Sequence, residues 1–150
     1  MTHNHTIKMI KDALKLDDAA LLNIFRLADP QVGPEDVRDI LKDESEADFV
    51  HCSDEGIALF LDGLIIYKRG DNGKPRIQAE VPEMTNNAIW KKLRIALELK
   101  EEDILTLMKK SGMAMTPAEL TPYFRKEGQR NFKRCNDKTL TNFIKALETV

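Results

Sequence analysis

The chain has 150 residues, of which 42% are hydrophobic and 32% are charged, with a net charge of −2. This length allows one ordinary domain or two very small ones, and the composition is typical of an ordered, mostly helical protein. No apolar run approaches the ~18 residues of a membrane-spanning helix, and the first residues do not resemble a signal peptide. We therefore expect a cytoplasmic protein with no membrane contact.

The two halves of the chain carry opposite charge. Residues 1–75 contain 9 Lys and Arg against 15 Asp and Glu, whereas residues 76–150 contain 14 against 10. This contrast favours packing of the halves against each other or against a second molecule. A sharper interpretation is that the second half presents a basic surface to an acidic partner or a nucleic acid. The candidate residues of that surface are Arg125, Lys126, Arg130, Lys133, Arg134 and Lys138.

The first predicted helix covers residues 4–16, where apolar side chains recur mostly at three- and four-residue spacing and Asn4 lies near the expected N-cap. The same pattern returns 83 positions later, from Asn87 to Leu99, without a gap. A second helix is predicted to follow Asp17, which can cap it, and its counterpart runs from Glu101 to Lys110. The chain is therefore predicted to contain two copies of one helical unit.

A proline opens the short third helix of each copy, Pro34 in the first and Pro117 in the second. Proline is well tolerated there because its missing N–H would have no partner within the helix. A turn between two helices is also typical of helix-turn-helix proteins, in which the later helix reads DNA. In the first copy that helix, predicted from Glu35 to Glu44, is acidic and would repel phosphates. Only the second copy is therefore a candidate for nucleic-acid binding.

The clearest repeated element is a motif that precedes and opens the fourth helix of each copy. Serine and asparagine are good N-caps, and an aspartate at the first helical position interacts favourably with the positive end of the helix. A cysteine before the cap can pack as a small hydrophobic residue, and Phe and Leu are expected in the core. We therefore interpret the motif as structural. Its members are Phe49, Cys52, Ser53, Asp54, Phe60 and Leu64 in the first copy and Phe132, Cys135, Asn136, Asp137, Phe143 and Leu147 in the second.

The two cysteines also permit a chemical interpretation. A thiolate close to a helix N-terminus can have a lowered pKa and serve as a nucleophile or a redox sensor, and His51 adjoins Cys52. Against this, Arg134 stands at the position of His51 in the second copy. A zinc site would need more ligands than two Cys and three His, and His3 and His5 are expected in a frayed terminus. The sequence therefore predicts no metal, no cofactor and no catalytic residue.

Residues 69–86 are predicted to form a long irregular linker between a repeat at 1–68 and a repeat at 87–150. Asp-Asn-Gly at 71–73 is typical of a turn, and the prolines at 75 and 82 disfavour helix. The alternating residues 76–81 could form a short strand. Because each repeat is too small to bury a comfortable core alone, we expect a mostly α fold in which two four-helix repeats pack with pseudo-twofold symmetry.

Three patterns together resemble the YehS-like family of small bacterial proteins with a duplicated domain of unknown function. They are the repeated Asn-x-x-[IW]-Lys helix, the repeated Phe-x-x-Cys-x-Asp motif and the run Gly-Leu-Ile-Ile-Tyr-Lys-Arg-Gly at residues 63–70. The resemblance covers nearly the whole chain. It implies an all-helical cytoplasmic protein of two tandem repeats and no substrate, cofactor or catalytic residue.

The absence of a paired acid and base, a metal site or a phosphate loop favours a non-enzymatic interaction module. We expect it to bind a protein partner or a second copy of itself. Two alternatives stay open, which are nucleic-acid binding through the basic second repeat and a thiol-based redox or nucleophilic role of the repeated cysteines.

Overall fold

The computed structural model describes residues 1–70 and 83–150, and within these ranges it is helical and contains no strand. No helix in these ranges has the length and apolar character needed to cross a membrane. The mostly α prediction is confirmed, whereas the strand predicted at 76–81 lies outside the described residues. The helices are α1 (His3–Ala13), α2 (Asp18–Ala28), α3 (Pro34–Leu41), α4 (Asp54–Arg69), α5 (Asn86–Ala96), α6 (Glu101–Lys110), α7 (Pro117–Leu120) and α8 (Asp137–Ala146), with 3-10 helices at Thr121–Phe124 and Leu147–Thr149.

The two repeats share one core. The first helix of each repeat packs against the fourth helix of the other, so that α1 lies on α8 and α5 lies on α4. Exchanging the repeats exchanges these two contacts, which is the pseudo-twofold arrangement expected from the duplication. The second helices cover the outside of this layer, with α2 on α4 and α6 on α8.

The fourth helices form the centre of the core. In α4, the side chains of Ile57, Phe60, Leu61 and Leu64 are fully buried. Their counterparts in and just after α8, which are Leu140, Phe143, Ile144 and Leu147, are buried as completely. Apolar burial is the largest favourable contribution to folding, so the packing of α4 and α8 against helices of the other repeat stabilises both repeats.

Gly63 sets the separation of α2 and α4. A Cβ atom at this position would lie 1.9 Å from the backbone oxygen of Ile24, which no side chain can tolerate. Ala146 occupies the equivalent position in α8. The close helix contact in the first repeat therefore explains why a glycine stands in the middle of its most apolar helix.

Most predicted helix starts are confirmed. Asp17 caps α2 by accepting a hydrogen bond from the Ala20 N–H, and prolines occupy the first turns of α3 and α7. The first predicted helix is confirmed as α1, but Thr2 is its N-cap, and Asn4, expected near the cap, lies within the helix with 4% of its surface exposed. Thr2 accepts the capping hydrogen bond from the His5 N–H, which leaves the Asn4 side chain for contacts inside the protein.

The predicted third helices are shorter in the structure. Helix α3 ends at Leu41 rather than Glu44, and α7 has four residues before the chain continues as a 3-10 helix. Pro122 accounts for the short α7, since it has no N–H to continue the α-helical hydrogen bonds. A helix of four residues is about 6 Å long. The helix-turn-helix interpretation of the second repeat is therefore wrong, because α7 is too short to act as a recognition helix.

Candidate functional site

A buried asparagine fixes the loop that carries Cys52. From α1, the Asn4 Nδ2 atom donates hydrogen bonds to the backbone oxygens of Ile40, at 2.9 Å, and Val50, at 2.8 Å. The Asn4 Oδ1 atom accepts a hydrogen bond of 2.8 Å from the Cys52 N–H. One amide side chain thus satisfies one backbone group near the end of α3 and two backbone groups in the loop that follows it.

The second repeat contains the same network. Asn87 Nδ2 donates to the backbone oxygens of Tyr123 and Lys133, and Asn87 Oδ1 accepts from the Cys135 N–H. Each of these residues lies 83 positions after its counterpart in the first repeat. The asparagine is therefore the residue that places the cysteine loop in both repeats.

The N-termini of the four core helices meet at one end of the molecule. At this end, Asp54 opens α4 and lies 2.7 Å from the Nε2 atom of His3, at the start of α1. Its carboxylate also accepts a hydrogen bond from the backbone N–H of Met84, next to the start of α5. The prediction that His3 lies in a frayed terminus was wrong, since His3 begins α1 and contacts α4; His5 lies exposed in the same helix.

Asp137 has the equivalent position at the start of α8. It accepts hydrogen bonds from Asn86 Nδ2, at 2.8 Å, and from the amino group of Met1, at 2.9 Å. Asn86 and Met1 lie 83 positions away from His3 and Met84, respectively. Each aspartate is therefore bound by both repeats. Four converging helix N-termini carry roughly two positive charges in total, and the two carboxylates offset them.

These contacts favour the ionised carboxylates. The pKa of Asp54 is lowered mainly by the hydrogen bond from His3, and the hydrogen bond from the Met84 N–H lowers it further. The hydrogen bond from Asn86 is the main cause that lowers the pKa of Asp137, followed by the Met1 amino group. The ordinary value for both is 3.8. Both aspartates are therefore charged at neutral pH and serve to join the helices.

We expect the Asp137→Asn variant to lose stability at pH 7 and to show a weaker acid dependence than the wild type. A carboxyl group with a lowered pKa in the folded state stabilises the protein above the unfolded-state pKa, and this contribution disappears as the pH falls through the folded-state value. Urea unfolding at pH 7, 5 and 3 measures both effects. The exposed Glu148→Gln change is the control, and equal pH dependence of the Asp137→Asn variant and the wild type would contradict the assignment.

The cysteine thiols are poorly suited to nucleophilic chemistry. Cys52 is half-buried and Cys135 is buried, and both are free thiols. Burial raises the pKa of each thiol to about 12, opposite to the lowered pKa that a reactive thiolate would have. The negative charge of the following aspartate, Asp54 or Asp137, acts in the same direction. Each Sγ atom lies 3.5 to 3.6 Å from the backbone oxygen of the next residue.

His51 does not complete a catalytic pair with Cys52. Its ring packs edge-on against Phe49, with ring centres 4.8 Å apart. His51 and Cys52 both border a cavity of about 290 Å³ whose walls are mainly apolar, and the structure shows no hydrogen bond between their side chains. Within residues 1–70 and 83–150, no group of three His, Cys, Asp or Glu side chains is arranged to hold a metal ion.

The remaining members of the repeated motif lie in helix caps and in the core. Ser53 and Asn136 cap α4 and α8, and their side chains accept hydrogen bonds from the backbone N–H groups of Gly56 and Thr139. Phe60, Phe143, Leu64 and Leu147 lie in the shared core, whereas Phe49 and Phe132 are half-buried. The structure thus places the motif at two helix starts, one in each repeat, with its most apolar members in the shared core.

The loops that lead into α4 and α8 differ in charge. The acidic segment, residues 42–55, contains six Asp and Glu and one Lys, a net charge of −5. The basic segment, residues 125–138, is its counterpart 83 positions later and contains six Lys and Arg against two Asp and Glu, a net charge of +4. All six predicted surface cations of the basic segment are exposed.

Few of these charges are neutralised internally. In the basic segment Arg134 forms an ion pair of 2.8 Å with Glu127, and Lys133 lies over the ring of Tyr123. In the acidic segment Lys42 pairs with Asp48. Both segments enter the end of the molecule where the helix N-termini meet, one on each side of the pseudo-twofold axis.

Sequence reasoning missed the two asparagines as contact residues. A signal existed, because Asn4 and Asn87 are identical polar residues at equivalent positions of an apolar helix pattern. Several residue types can serve as an N-cap, so a cap does not require the same residue in both copies. An identical polar residue in both copies therefore indicates a buried side chain with specific hydrogen bonds.

Comparisons with known proteins agree with the duplicated architecture. The model of a family described as "Protein of unknown function (DUF1456)" matches residues 3–70 and 86–150. The chain is also similar to "Uncharacterized protein YehS" of Escherichia coli (strain K12), with 32% identity over 148 residues, covering 98% of this chain and 94% of the relative. No solved structure matches the chain. Matches of this extent show that the chain belongs to the DUF1456 family of proteins of unknown function.

Proposed function

We propose that the protein is a non-enzymatic interaction module that associates with a second copy through its acidic and basic segments. The observation that carries this proposal is that equivalent loops of two superimposable repeats bear opposite charge. Charge in a loop is not needed to maintain the shared fold, since the core and the asparagine networks are the same in both repeats. Opposite charge at equivalent positions is suited to recognition between copies.

A closed dimer satisfies both segments at once. The acidic and basic segments are related by the internal pseudo-twofold axis, and both finish at the same end of the molecule, where Asp54 and Asp137 open α4 and α8. If two copies meet at this end around a twofold axis that is perpendicular both to the internal axis and to the line joining the two segments, each acidic segment faces the partner's basic segment. Such a contact occurs twice and leaves no charged segment free, which favours a dimer over an open chain of molecules.

Sedimentation velocity at several protein concentrations tests the proposal. We expect a dimer at about 50 mM salt that dissociates as the salt approaches about 1 M, where charges are screened beyond roughly 3 Å. A protein that stays monomeric at every concentration and salt level would refute self-association.

A charge exchange tests the contact itself. The variant Lys126→Glu/Arg130→Glu changes the charge of the basic segment from +4 to 0, and the variant Glu44→Lys/Asp48→Lys changes that of the acidic segment from −5 to −1. Each variant alone therefore lacks a contact between two strongly and oppositely charged segments and is expected to be monomeric. An equimolar mixture restores one such contact, between the unchanged acidic segment of one variant and the unchanged basic segment of the other, and should form a heterodimer. The control Lys109→Glu/Lys145→Glu changes the net charge by the same amount as the first variant at exposed sites outside the segments and should dimerise. Failure of the mixture to associate would contradict the proposed pairing.

Nucleic-acid binding through the basic segment is the second candidate. It is favoured by six exposed cations within fourteen residues. It predicts that fluorescence polarisation of a labelled DNA duplex rises with the protein concentration at low salt, and that the affinity falls steeply with increasing salt. Unchanged polarisation at low salt, or equal binding by the Lys126→Glu/Arg130→Glu variant, would exclude this role of the segment.

A further inference from the structure

The first repeat contains an open cavity of about 810 Å³ between α1, α2, α3 and the start of the acidic segment. This volume lies within the usual range of small-molecule sites, roughly 300–1,000 Å³. Its apolar part includes Leu22, Val37 and Leu41, of which Val37 is buried and the other two pack against the core. The cavity is on the outside of the first repeat, away from the helix starts that carry Cys52 and Asp54.

Four cationic side chains border this apolar surface, which are Lys8, Lys11, Arg38 and Lys42. Lys8, Lys11 and Lys42 are half-buried, because their aliphatic chains lie along apolar surface while the ammonium groups reach the cavity. Within the described parts of the chain, the Lys8 ammonium forms no ion pair and donates to the backbone oxygen of Lys42 at 3.1 Å. A cluster of positive charge is thus maintained inside a repeat that is acidic overall.

The carboxylates at the cavity neutralise this charge only in part. Lys11 lies 3.4 Å from Asp18, whose side chain is 86% exposed, and exposed ion pairs of this kind are weak. Asp12 and Glu46 also border the cavity, and Lys42 forms ion pairs with Asp39, at 3.1 Å, and Asp48, at 3.2 Å. Lys8 and Lys11 are therefore the cations left to bind a ligand, and two ammonium groups fit a molecule with a single anionic group. They do not fit a polyanion such as DNA, which the surrounding acidic repeat would repel.

The second repeat provides an internal comparison. Cations recur at three equivalent positions, as Lys91, Arg94 and Arg125, but Phe124 replaces Leu41. The guanidinium carbon of Arg94 lies 4.8 Å from the centre of the Phe124 ring, and Arg94 Nε donates to the backbone oxygen of Leu99. In the second repeat, the larger Phe124 ring and the Arg94 guanidinium group stacked on it therefore occupy the positions that Leu41 and Lys11 have beside the cavity of the first repeat.

We propose that this cavity of the first repeat binds an amphipathic anion, meaning a molecule with an apolar body and one carboxylate or phosphate group. The apolar body contacts Leu22, Val37 and Leu41. The anionic group is bound by the ammonium groups of Lys8 and Lys11. The cavity borders the acidic segment at Lys42 and Glu46, but the groups proposed to bind the ligand lie outside that segment.

The probe for the test is 8-anilinonaphthalene-1-sulfonate, which combines an aromatic body with one sulfonate and becomes fluorescent in apolar sites. We expect saturable binding to the native protein and competition by octanoate or phenyl phosphate. Competition by either of them supports a site for a molecule with an apolar body and a single anionic group. Octylamine, which has the same kind of apolar tail with the opposite charge, should compete weakly.

Two kinds of variant decide the assignment. The Lys8→Gln/Lys11→Gln variant should bind the probe at least about tenfold more weakly, because hydrogen bonds to charged groups are lost. Leu41→Phe introduces the residue of the second repeat, removes no cation and should also weaken binding. Lys91→Gln, at the position equivalent to Lys8, is the matched control and should bind as the wild type does.

Circular dichroism and thermal midpoints establish that each variant is folded before its binding is compared. The proposal is overturned if the native protein shows no saturable binding, if Leu41→Phe binds as the wild type does, or if Lys91→Gln weakens binding as much as the Lys8 and Lys11 changes.

Discussion

Replacing Asn4 by alanine is expected to destabilise the protein by about 3 kcal/mol, because each buried polar group left without a partner costs about 1–3 kcal/mol. The change removes the partner of the Ile40 and Val50 backbone oxygens and of the Cys52 N–H. Water can replace some of these contacts, since Val50 is at the surface. Urea denaturation followed by circular dichroism gives the free energy of unfolding.

The duplication supplies matched controls for this prediction. Asn87→Ala removes the equivalent three hydrogen bonds and should cost a similar amount. Asn4→Asp keeps an acceptor for the Cys52 N–H but has no donor for the two carbonyl oxygens, so it should also destabilise. Asn23 is exposed on α2, and its change to alanine should alter the stability by no more than about 0.5 kcal/mol. An Asn4→Ala variant as stable as the Asn23 control would show that the network contributes little.

Replacing Phe60 by alanine should cost about 3–5 kcal/mol, the usual range for a fully buried phenylalanine. The Phe60 side chain is fully buried and its ring centre lies 5.5 Å from that of Phe25. Phe143 is its equivalent, also fully buried, with its ring centre 5.3 Å from that of Trp90, so Phe143→Ala should have an effect of the same size.

The shape of the unfolding transition is as informative as its midpoint. Because α1 packs on α8 and α4 packs on α5, both variants should unfold in one cooperative transition detected equally by circular dichroism and by Trp90 fluorescence. If Phe60→Ala unfolded the first repeat at a lower urea concentration than the second, the repeats would be separate folding units, contrary to the shared core.

The helices and the duplication could be predicted from the sequence because they depend on local patterns. Apolar spacing, prolines in first turns and cap residues act within a few positions, and each pattern appears twice. The same reasoning placed Asn4 near the N-cap and did not show that its side chain is buried, since a side chain within three residues of a helix start can either cap or face inward. Which of these occurs depends on contacts with Ile40 and Val50, far along the chain.

The candidate sites were less predictable for a related reason. The six cations of the basic segment could be identified from the sequence as a charged run. The acidic segment suggests a binding partner for them only when the pseudo-twofold arrangement shows that the two segments are equivalent loops. The cavity next to Lys8 and Lys11 depends on the difference between Leu41 and Phe124, two apolar residues that a binary pattern treats as equal. Neither site has a local sequence signature.

The central claim is that the repeated cysteine motif maintains the fold, while function lies in the loops and surfaces where the repeats differ. Thiol labelling of the native protein with iodoacetamide, followed residue by residue by mass spectrometry, tests this claim most directly. Because Cys135 is buried and its thiol pKa is raised to about 12, its labelling at pH 7 should be slow and should accelerate with urea in parallel with global unfolding. The half-buried Cys52, with its pKa also raised to about 12, should react faster than Cys135 and still much more slowly than a free cysteine. Rapid labelling of both cysteines at neutral pH, independent of urea, would contradict the structural role and support a thiol-based function.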